Sequence, residues 1–512
     1  MRWVFVLLLA AVLLSSASGI KASPWAQVGQ YRSSLAGRGG DDRKAGKALL
    51  ELYRKRERMS PLRNLLFWSK AGHIYSSYKT CQVNDRLIRI RKRGKSSEEI
   101  EQQLKVLWDE THEKNSERML SLCLSLRGFY LKTGQFLGMR HDFMPPQYCL
   151  KLSKLTDSVP HLEEEIIRAV IEGELKGGVA DHFTSLDLRK PLGAASIAQV
   201  HKGVWRATGE AVAVKVQYPN AESLMTSDLK NIKVLAEFLQ RTELKFDVLS
   251  AVRELQKQIA NEFDFVREAN NMDYMRDRLK TVKEVIVPRS IFKTKSLLVM
   301  TFVEGDNLTK LAEFKTKVGI PSMAANVLKK SVGLKLLNVL TKAWGEMIFE
   351  IRMLNADPHS GNICINNYNF NQVGLLDWGQ IKRVSDDLAL KYSLMIEAMN
   401  SRDRQRIVDA FFGLGCRVAD PGDFDTVYGI AVSMLDTRSV PGYVIDPFSP
   451  DNALKKNGVT KMPPDLYFLV RAVQLFRGIA FAFDLQHYSV AEKWAPHAKK
   501  IILADAAKRR SV

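Results

Sequence analysis

The chain has 512 residues, enough for several domains' worth of core, and its 46% hydrophobic and 26% charged content argues against wholesale disorder. A formal charge of +20 favours polyanionic partners, anionic lipid, nucleotide or nucleic acid, with a solvated basic face as the equal alternative. Five widely spaced cysteines (Cys81, Cys123, Cys149, Cys364 and Cys416) without a CxxC argue against a disulfide framework or metal cage, and are expected to be buried small hydrophobes. No zinc spacing or nucleic-acid module accompanies the positive charge, so no nucleic-acid partner is expected.

At the N-terminus, Arg2 precedes an apolar run from Trp3 to Leu14 and the small residues Ser15-Ser16-Ala17-Ser18-Gly19. That is the layout of a secretory signal peptide, with an uncleaved anchor or an unusual organellar presequence as the alternative. The run is short for a membrane-spanning helix, which takes about 20 apolar residues. No later stretch qualifies. Tyr467 to Leu485 comes nearest, interrupted by Arg471 and Arg477, so a soluble or peripheral protein is expected.

From Ile20 to Asp42 the chain reads as a Ser, Gly and Arg-rich linker, and from Arg43 to Trp108 as a basic helical stretch with runs at Arg54 to Arg58 and Arg89 to Lys95. The apolar positions Met119, Leu120, Leu122, Leu124, Leu126 and Leu131 predict a buried helix over Glu117 to Leu137, which contains Lys132-Thr133-Gly134-Gln135. Pro145-Pro146 breaks the pattern, and Leu162 to Leu175 reads as another helix. Strands are predicted at Ala198 to Arg206 and Ala211 to Val216, joined by the turn Ala207-Thr208-Gly209-Glu210. A helix follows over Ala251 to Leu279, with Leu255, Ile259, Phe263 and Val266 on one stripe. Strands come next at Val285 to Phe292 and Ser296 to Phe302, the second ending at Val303-Glu304-Gly305. The remainder is mostly helical. Hairpin, helix, two strands and a helical half is the element order of a two-lobed kinase.

The chemistry sits in two clusters. In the downstream one, Asp357-Pro358-His359-Ser360-Gly361-Asn362 places an Asp five positions before an Asn, and Asp377-Trp378-Gly379 follows. Phosphoryl transfer needs an acceptor hydroxyl to be oriented and deprotonated, and metal ions held against phosphates by hard oxygens. Asp357 supplies the first function; Asn362 and Asp377 supply the second. In isolation D-x-x-x-x-N is more often an Asx-turn, but the later D-x-G favours the kinase arrangement. Upstream, Val212-Ala213-Val214-Lys215 matches the strand whose lysine contacts phosphates. A lysine in an apolar strand needs an acidic partner unless it snorkels to water; Glu268 is expected to fill that role, with Glu262 as the fallback. About twenty residues earlier, Gly193-Ala194-Ala195-Ser196 stands where a kinase carries its phosphate loop. Glu304, after the last of these strands, joins the nucleotide-binding candidates.

Together these motifs resemble the UbiB/aarF-domain-containing (ADCK) atypical kinase-like proteins. The matching stretches are Lys132 to Gln135 (KxGQ), Gly193 to Ser196 with Gln199-Val200-His201, Val212 to Pro219, Glu262-Phe263-Asp264 with Arg267-Glu268-Ala269 (ExD helix), Asp357 to Asn362 and Asp377 to Gly379. They occur in family order across Leu120 to Arg383, with a looser likeness at Leu475 to Gly478. The resemblance implies an α+β, protein-kinase-like two-lobed fold with an N-terminal helical KxGQ extension. The expected division is 1–19 targeting segment, 20–115 basic linker and helices, 116–180 KxGQ extension, 181–305 N-lobe and 306–512 helical C-lobe.

The resemblance further implies ATP and Mg2+ as cofactors. Lys132 and Gln135 would reach toward the nucleotide and the ExD residues, and the alanine-rich loop would face the nucleotide. Lys215 would contact phosphates with Glu268 orienting it, and Asp357 would be the acidic residue of the catalytic loop. Asn362 and Asp377 would be the metal ligands. The alanine-rich loop favours ATP hydrolysis or small-molecule phosphorylation over peptide phosphorylation. Expected partners are nucleotide and an anionic or quinone-containing membrane surface, with a homodimer or lipid-biosynthesis proteins as further associations. Family members support ubiquinone or other isoprenoid-quinone and lipid metabolism in mitochondria or plastids. The N-terminus instead suggests the secretory route, which also leads to complex plastids. Asn355 stands where the family usually has His, Ser360 where Pro is common, and Trp378 where Phe is common; Gly193 leads a loop often begun by Ala. Two other classes compete: a small-molecule kinase, against which KxGQ argues, and a nucleotide-binding pseudokinase scaffold, against which the intact Asp357, Asn362 and Asp377 argue.

Overall fold

The computed structural model describes residues 60–91, 97–138, 144–156, 161–195, 197–242, 262–308, 322–358, 360–366, 372–438 and 457–510, with isolated positions at 48, 50, 51, 252, 256 and 440. The signal-type segment, the basic runs at Arg54 to Arg58 and Lys92 to Lys95, and Ser196 lie outside the described residues. The chain divides into two units, Met1–Phe263 and Asp264–Val512.

The first unit begins with two long helices, α1 (Ser60–Arg91) and α2 (Ser97–Leu126). They run antiparallel, as the cross-links Lys70 to Ser121, Asn115 to Ser77 and Trp108 to Asp85 show. The helix predicted over Glu117 to Leu137 is in fact two. Arg127 and Gly128 both take left-handed φ angles, 55° and 54°, which ends α2 and restarts the chain as α3 (Gly128–Gly138). Helix α3 carries the KxGQ residues into a core of Phe67, Leu122, Cys123, Tyr130, Leu131, Tyr148, Leu152 and Leu155. Its glycine is a packing requirement: a Cβ on Gly134 would lie 2.6 Å from Leu155 and 2.8 Å from the Cys123 sulfur.

Helix α4 (Pro146–Leu152) starts on a proline, the position where a missing N–H costs least. Helix α5 (Glu164–Glu174) buries Ile166, Ile167, Val170 and Ile171. The sheet of this unit runs β1 (Phe183–Leu186), β3 (Ala198–Trp205), β4 (Ala211–Gln217), with β2 (Gly193–Ala194) also on β3. The predicted β3–β4 hairpin is present, turning at Gly209 with φ 73°. Helix α6 (Ala221–Thr242) packs on α3.

Two residues of the alanine-rich motif serve the fold. Gln199, fully buried, exchanges hydrogen bonds with the backbone of Leu162 at 2.7 and 3.3 Å and donates to His201 Nε2 at 2.9 Å. His201 Nδ1 donates to the Asp187 carbonyl at 2.8 Å, which makes the ring the neutral Nδ1–H tautomer. Burial holds its pKa below the ordinary imidazole range. The unfolded chain therefore binds this proton more readily, so the stabilisation is complete above about pH 6.5 and is lost as pH falls below it. His112 and His73 are shifted the same way, also chiefly by burial. The urea midpoint should fall between about pH 7 and pH 5, and less steeply in His201→Gln. Equal slopes for the two proteins would contradict this.

The second unit opens on α7 (Phe265–Arg278). The helix predicted over Ala251 to Leu279 is interrupted, because Glu262 and Phe263 form a turn and the Asp264 carboxylate caps a new helix at Val266 N and Arg267 N. The strand predicted over Val285 to Phe292 is also two, β5 (Val285–Ile286) and β6 (Ser290–Lys293), separated at Pro288, which has no N–H for a ladder. Strand β6 pairs with β7 (Leu297–Thr301). After β8 (Asp306–Asn307), the long helix α8 (Ser322–Gly345) widens into a π-helical turn (Glu346–Ile351). That turn ends at Arg352, with φ 60°, and delivers β9 (Met353–Asn355).

Strands β10 (Ile363–Ile365) and β11 (Val373–Leu375) form a hairpin in the order β5-β11-β10-β8, and β12 (Ile381–Arg383) returns antiparallel to β9. Helices α9 (Asp386–Asn400), α10 (Arg404–Gly413), α11 (Phe424–Leu435), α12 (Pro464–Ala482) and α13 (Val490–Arg510) complete the unit, around buried Trp344, Phe349, Tyr392, Phe476 and Trp494. All five cysteines are free and buried, as expected. Burial pushes Cys123 up to about 12 and Cys364 and Cys416 up to about 11, so their thiols stay protonated at neutral pH.

Candidate functional site: the Asp357 loop laced to the Asp377 turn

In the first unit, Lys132 on α3 reaches Glu262 of the ExD segment, Nζ to Oε1 at 2.9 Å, with both side chains mostly buried. The fallback partner expected for Lys215 is therefore engaged by the KxGQ lysine. Gln135 donates its amide to the Leu155 carbonyl at 2.9 Å. Lys215 lies on β4 opposite Val200, half-buried between the fully buried Val214 and Val216. The alanine-rich loop is the tip of the β2–β3 hairpin: Gly193 faces Val200, Ala194 faces Gln199, and Ala195 N closes on Ala198 O at 2.7 Å. Gly193 has open space where a Cβ would stand and no left-handed φ, so the family's alanine would fit there equally well.

In the second unit the two downstream motifs are stitched together by backbone. Asn355 ends β9, and its Nδ2 donates to the Asp377 carbonyl at 2.7 Å while its Oδ1 accepts from Asp357 N at 3.0 Å. Ala356 N donates to Gln380 O at 2.9 Å, and Leu376 N donates to Asn362 O at 3.0 Å. One buried amide thus spans the loop that carries Asp357 and the turn that carries Asp377. An asparagine does this well because its side chain is donor and acceptor at once. Where the resemblance leads one to expect histidine, this chain has an amide that bonds to both loops.

Asp377 Oδ1 accepts from Gly379 N at 2.9 Å, forming a tight Asx turn. Trp378 is fully buried and donates to Leu375 O at 3.0 Å. Helix α7 borders this turn, with Asn271 donating to Trp378 O at 3.2 Å. The nearly buried Glu268 lies close enough that a Cβ on Gly379 would be 3.7 Å from its Oε2. Glu304 is exposed, beside Gly305. Gly305 has a φ of 141°, and any Cβ there would collide with the Ile365 carbonyl, so no side chain fits.

Asn362 and Asp377 offer an amide and a carboxylate oxygen, the hard donors magnesium takes together with phosphate oxygens. Among the described residues no cluster of three or more His, Cys, Asp or Glu makes a ready-built metal cage.

Sequence reasoning noticed Arg471 only as an interruption of an apolar run. It sits on α12 and donates to Asp357 Oδ1 at 2.5 Å and to the Ala356 carbonyl at 3.2 Å. A cation inside an otherwise apolar helix needs a buried acceptor, and that was the available signal.

These features define an atypical kinase-like protein. Residues 154–411 match the ABC1 atypical kinase-like domain, and the chain belongs to that family. AarF domain-containing protein kinase 1 of Gallus gallus is 30% identical over 338 residues, covering 65% of this chain and 61% of the relative. Protein ACTIVITY OF BC1 COMPLEX KINASE 8, chloroplastic, of Arabidopsis thaliana is 28% identical over 321 residues, covering 61% and 40%. The chain thus spans between about two-fifths and three-fifths of the length of these relatives. Among solved structures, the Rv3197–erythromycin complex from Mycobacterium tuberculosis aligns with a TM-score of 0.49 at 20% identity, over 74% of this chain and 95% of that one.

Proposed function

We propose that the protein binds Mg-ATP and acts as an atypical kinase or ATPase at an anionic membrane surface, in support of isoprenoid-quinone or other lipid metabolism. The observation that carries this reading is the Asn355 bridge, which holds Asp357 and the Asp377 turn in one hydrogen-bonded assembly. Asp357 orients the attacking hydroxyl or water and accepts its proton; Asn362 and Asp377 hold the metal; Lys215 contacts phosphates. Magnesium, when bound, neutralises charge on the phosphate oxygens. The Asn271 bond to Trp378 O ties the metal turn to α7.

The membrane reading has support in α1. Val83, Leu87 and Ile90 recur at helical spacing and are 54%, 41% and 67% exposed, with exposed Arg86 and Arg89 along the same stretch. An apolar stripe bordered by arginines suits the interface of an anionic bilayer. No described helix is long and apolar enough to cross a membrane. Plant relatives carry chloroplastic names, which favours a plastid destination.

The test is an ATPase assay on purified protein, with and without vesicles of anionic phospholipid. Magnesium-dependent turnover should rise with vesicles and fall by about 10²–10⁴ in Asp357→Asn. Turnover unaffected by that substitution would contradict the assignment of Asp357.

A further inference from the structure

We infer that Arg471 is a positioning residue for phosphoryl transfer, a guanidinium clamp that fixes the direction of the Asp357 carboxylate. This inference rests on the reading of Asp357 as the acid–base group. It adds a residue from outside every motif of the site, 114 positions further along the chain.

Four observations carry it. First, one guanidinium makes two contacts to consecutive residues of the catalytic loop, through separate nitrogens: Nη1 to the Ala356 carbonyl and Nη2 to Asp357 Oδ1. Two points of attachment fix both the loop backbone and the carboxylate it carries, which a single contact cannot do. Second, the pair is sheltered but not sealed, with the Arg471 and Asp357 side chains 23% and 20% exposed. Third, helix α12 is anchored on the same small sheet that frames the loop. Lys382 of β12 pairs with Asp465 at 3.5 Å and lies 5.1 Å from the centre of the Phe468 ring. The opposite end of the reach is thereby set, because β12 pairs with β9, which leads into Asp357. Fourth, the helix has strong packing of its own through buried Leu466, Leu469, Ala472, Val473 and Phe476, so it does not need Arg471 to fold.

The division of labour follows from the geometry. Arg471 holds Oδ1 of Asp357, and Asn355 fixes the amide of the same residue. With its backbone and one oxygen both held, the carboxylate keeps a set direction toward an acceptor hydroxyl or water. A group aligned in advance meets its proton without a search through rotamers. The two Arg471 contacts go to the catalytic loop and to neither metal ligand, so its contribution falls on the chemical step and not on nucleotide capture.

The experiment is a double-mutant cycle on the full chain, read as turnover and as Mg-ATP affinity. Arg471→Met should lower kcat by about tenfold to a hundredfold, with Mg-ATP affinity within about twofold of wild type. In an Asp357→Asn background the same substitution should have no further effect, because the carboxylate it aligns is gone. Arg471→Lys should restore part of kcat, since an ammonium can keep one of the two contacts. The inference is overturned if Arg471→Met leaves kcat unchanged, or lowers it equally in the presence and absence of Asp357. It is also overturned if kcat and Mg-ATP affinity fall together. If Asp357→Asn alone leaves turnover intact, the reading of Asp357 itself fails, and the inference falls with it.

Discussion

Asp377→Asn should weaken Mg-ATP binding by about a hundredfold or more while moving the thermal midpoint by no more than a few degrees. The separation of the two effects comes from the two ends of the residue. Its backbone carbonyl receives the Asn355 amide, and its Oδ1 receives Gly379 N. An asparagine keeps the carbonyl, and its own amide oxygen accepts from Gly379 as well, so the turn persists. The substitution removes the negative charge, and a hard dication depends on charge far more than on shape. Calorimetric titration with Mg-ATP beside a thermal melt measures both quantities. An unchanged affinity would contradict the metal role, and a collapse of the melt would show that the carboxylate serves the fold.

Arg63→Met should destabilise the first unit by about 3–5 kcal/mol, a large share of a typical domain's stability. Asp228 on α6 is fully buried, and Arg63 on α1 meets it through two bonds of 2.7 Å. Burial pushes the Asp228 carboxyl up, and Arg63 pulls it back. Without the guanidinium the desolvation is unopposed. A carboxyl whose folded pKa is raised binds its proton more tightly folded than unfolded, so the variant's deficit should grow as pH rises through and above the carboxylate range. The site is coupled to function by position: Asp228 accepts from the backbone of Phe129 at the start of α3, the helix that presents Lys132 to Glu262. Urea unfolding across pH is the measurement. Replacing both partners together, Arg63→Met with Asp228→Leu, should recover most of the loss, because no charge is then buried alone. A single-variant loss below about 1 kcal/mol would contradict the account.

Much of the fold could be read from residues whose reasons are local. The β3–β4 hairpin shows as two β-branched runs around Ala207-Thr208-Gly209-Glu210, and the turn does form at Gly209. Asp357 and Asn362 stand out because their spacing, with Asp377 following, matches the kinase pattern. The breaks that sequence reading missed come from competition between local signals. The apolar periodicity runs on past Arg127, from Leu126 to Leu131, yet Arg127 adopts a left-handed φ, and only the following Gly128 marks the end. Around Glu262 to Asp264 the periodic stripe hid a fresh N-cap at Asp264, although Glu268 and Arg267 downstream were already assigned to the ExD motif. Asn355 was visible only as a departure from the family pattern; its bridging role depends on Asp377, 22 positions away. Contacts of that range leave no mark on periodicity.

The central claim is that Asn362 and the Asp377 turn present hard oxygens to a nucleotide-borne metal. Its most direct test replaces magnesium by manganese and follows electron paramagnetic resonance as metal is titrated into protein with ATP. The account predicts saturable, ATP-dependent immobilisation of the ion by the wild-type chain, weakened in Asn362→Ala and lost in the double variant Asn362→Ala/Asp377→Asn. Manganese–ATP bound with undiminished affinity by the double variant would contradict it.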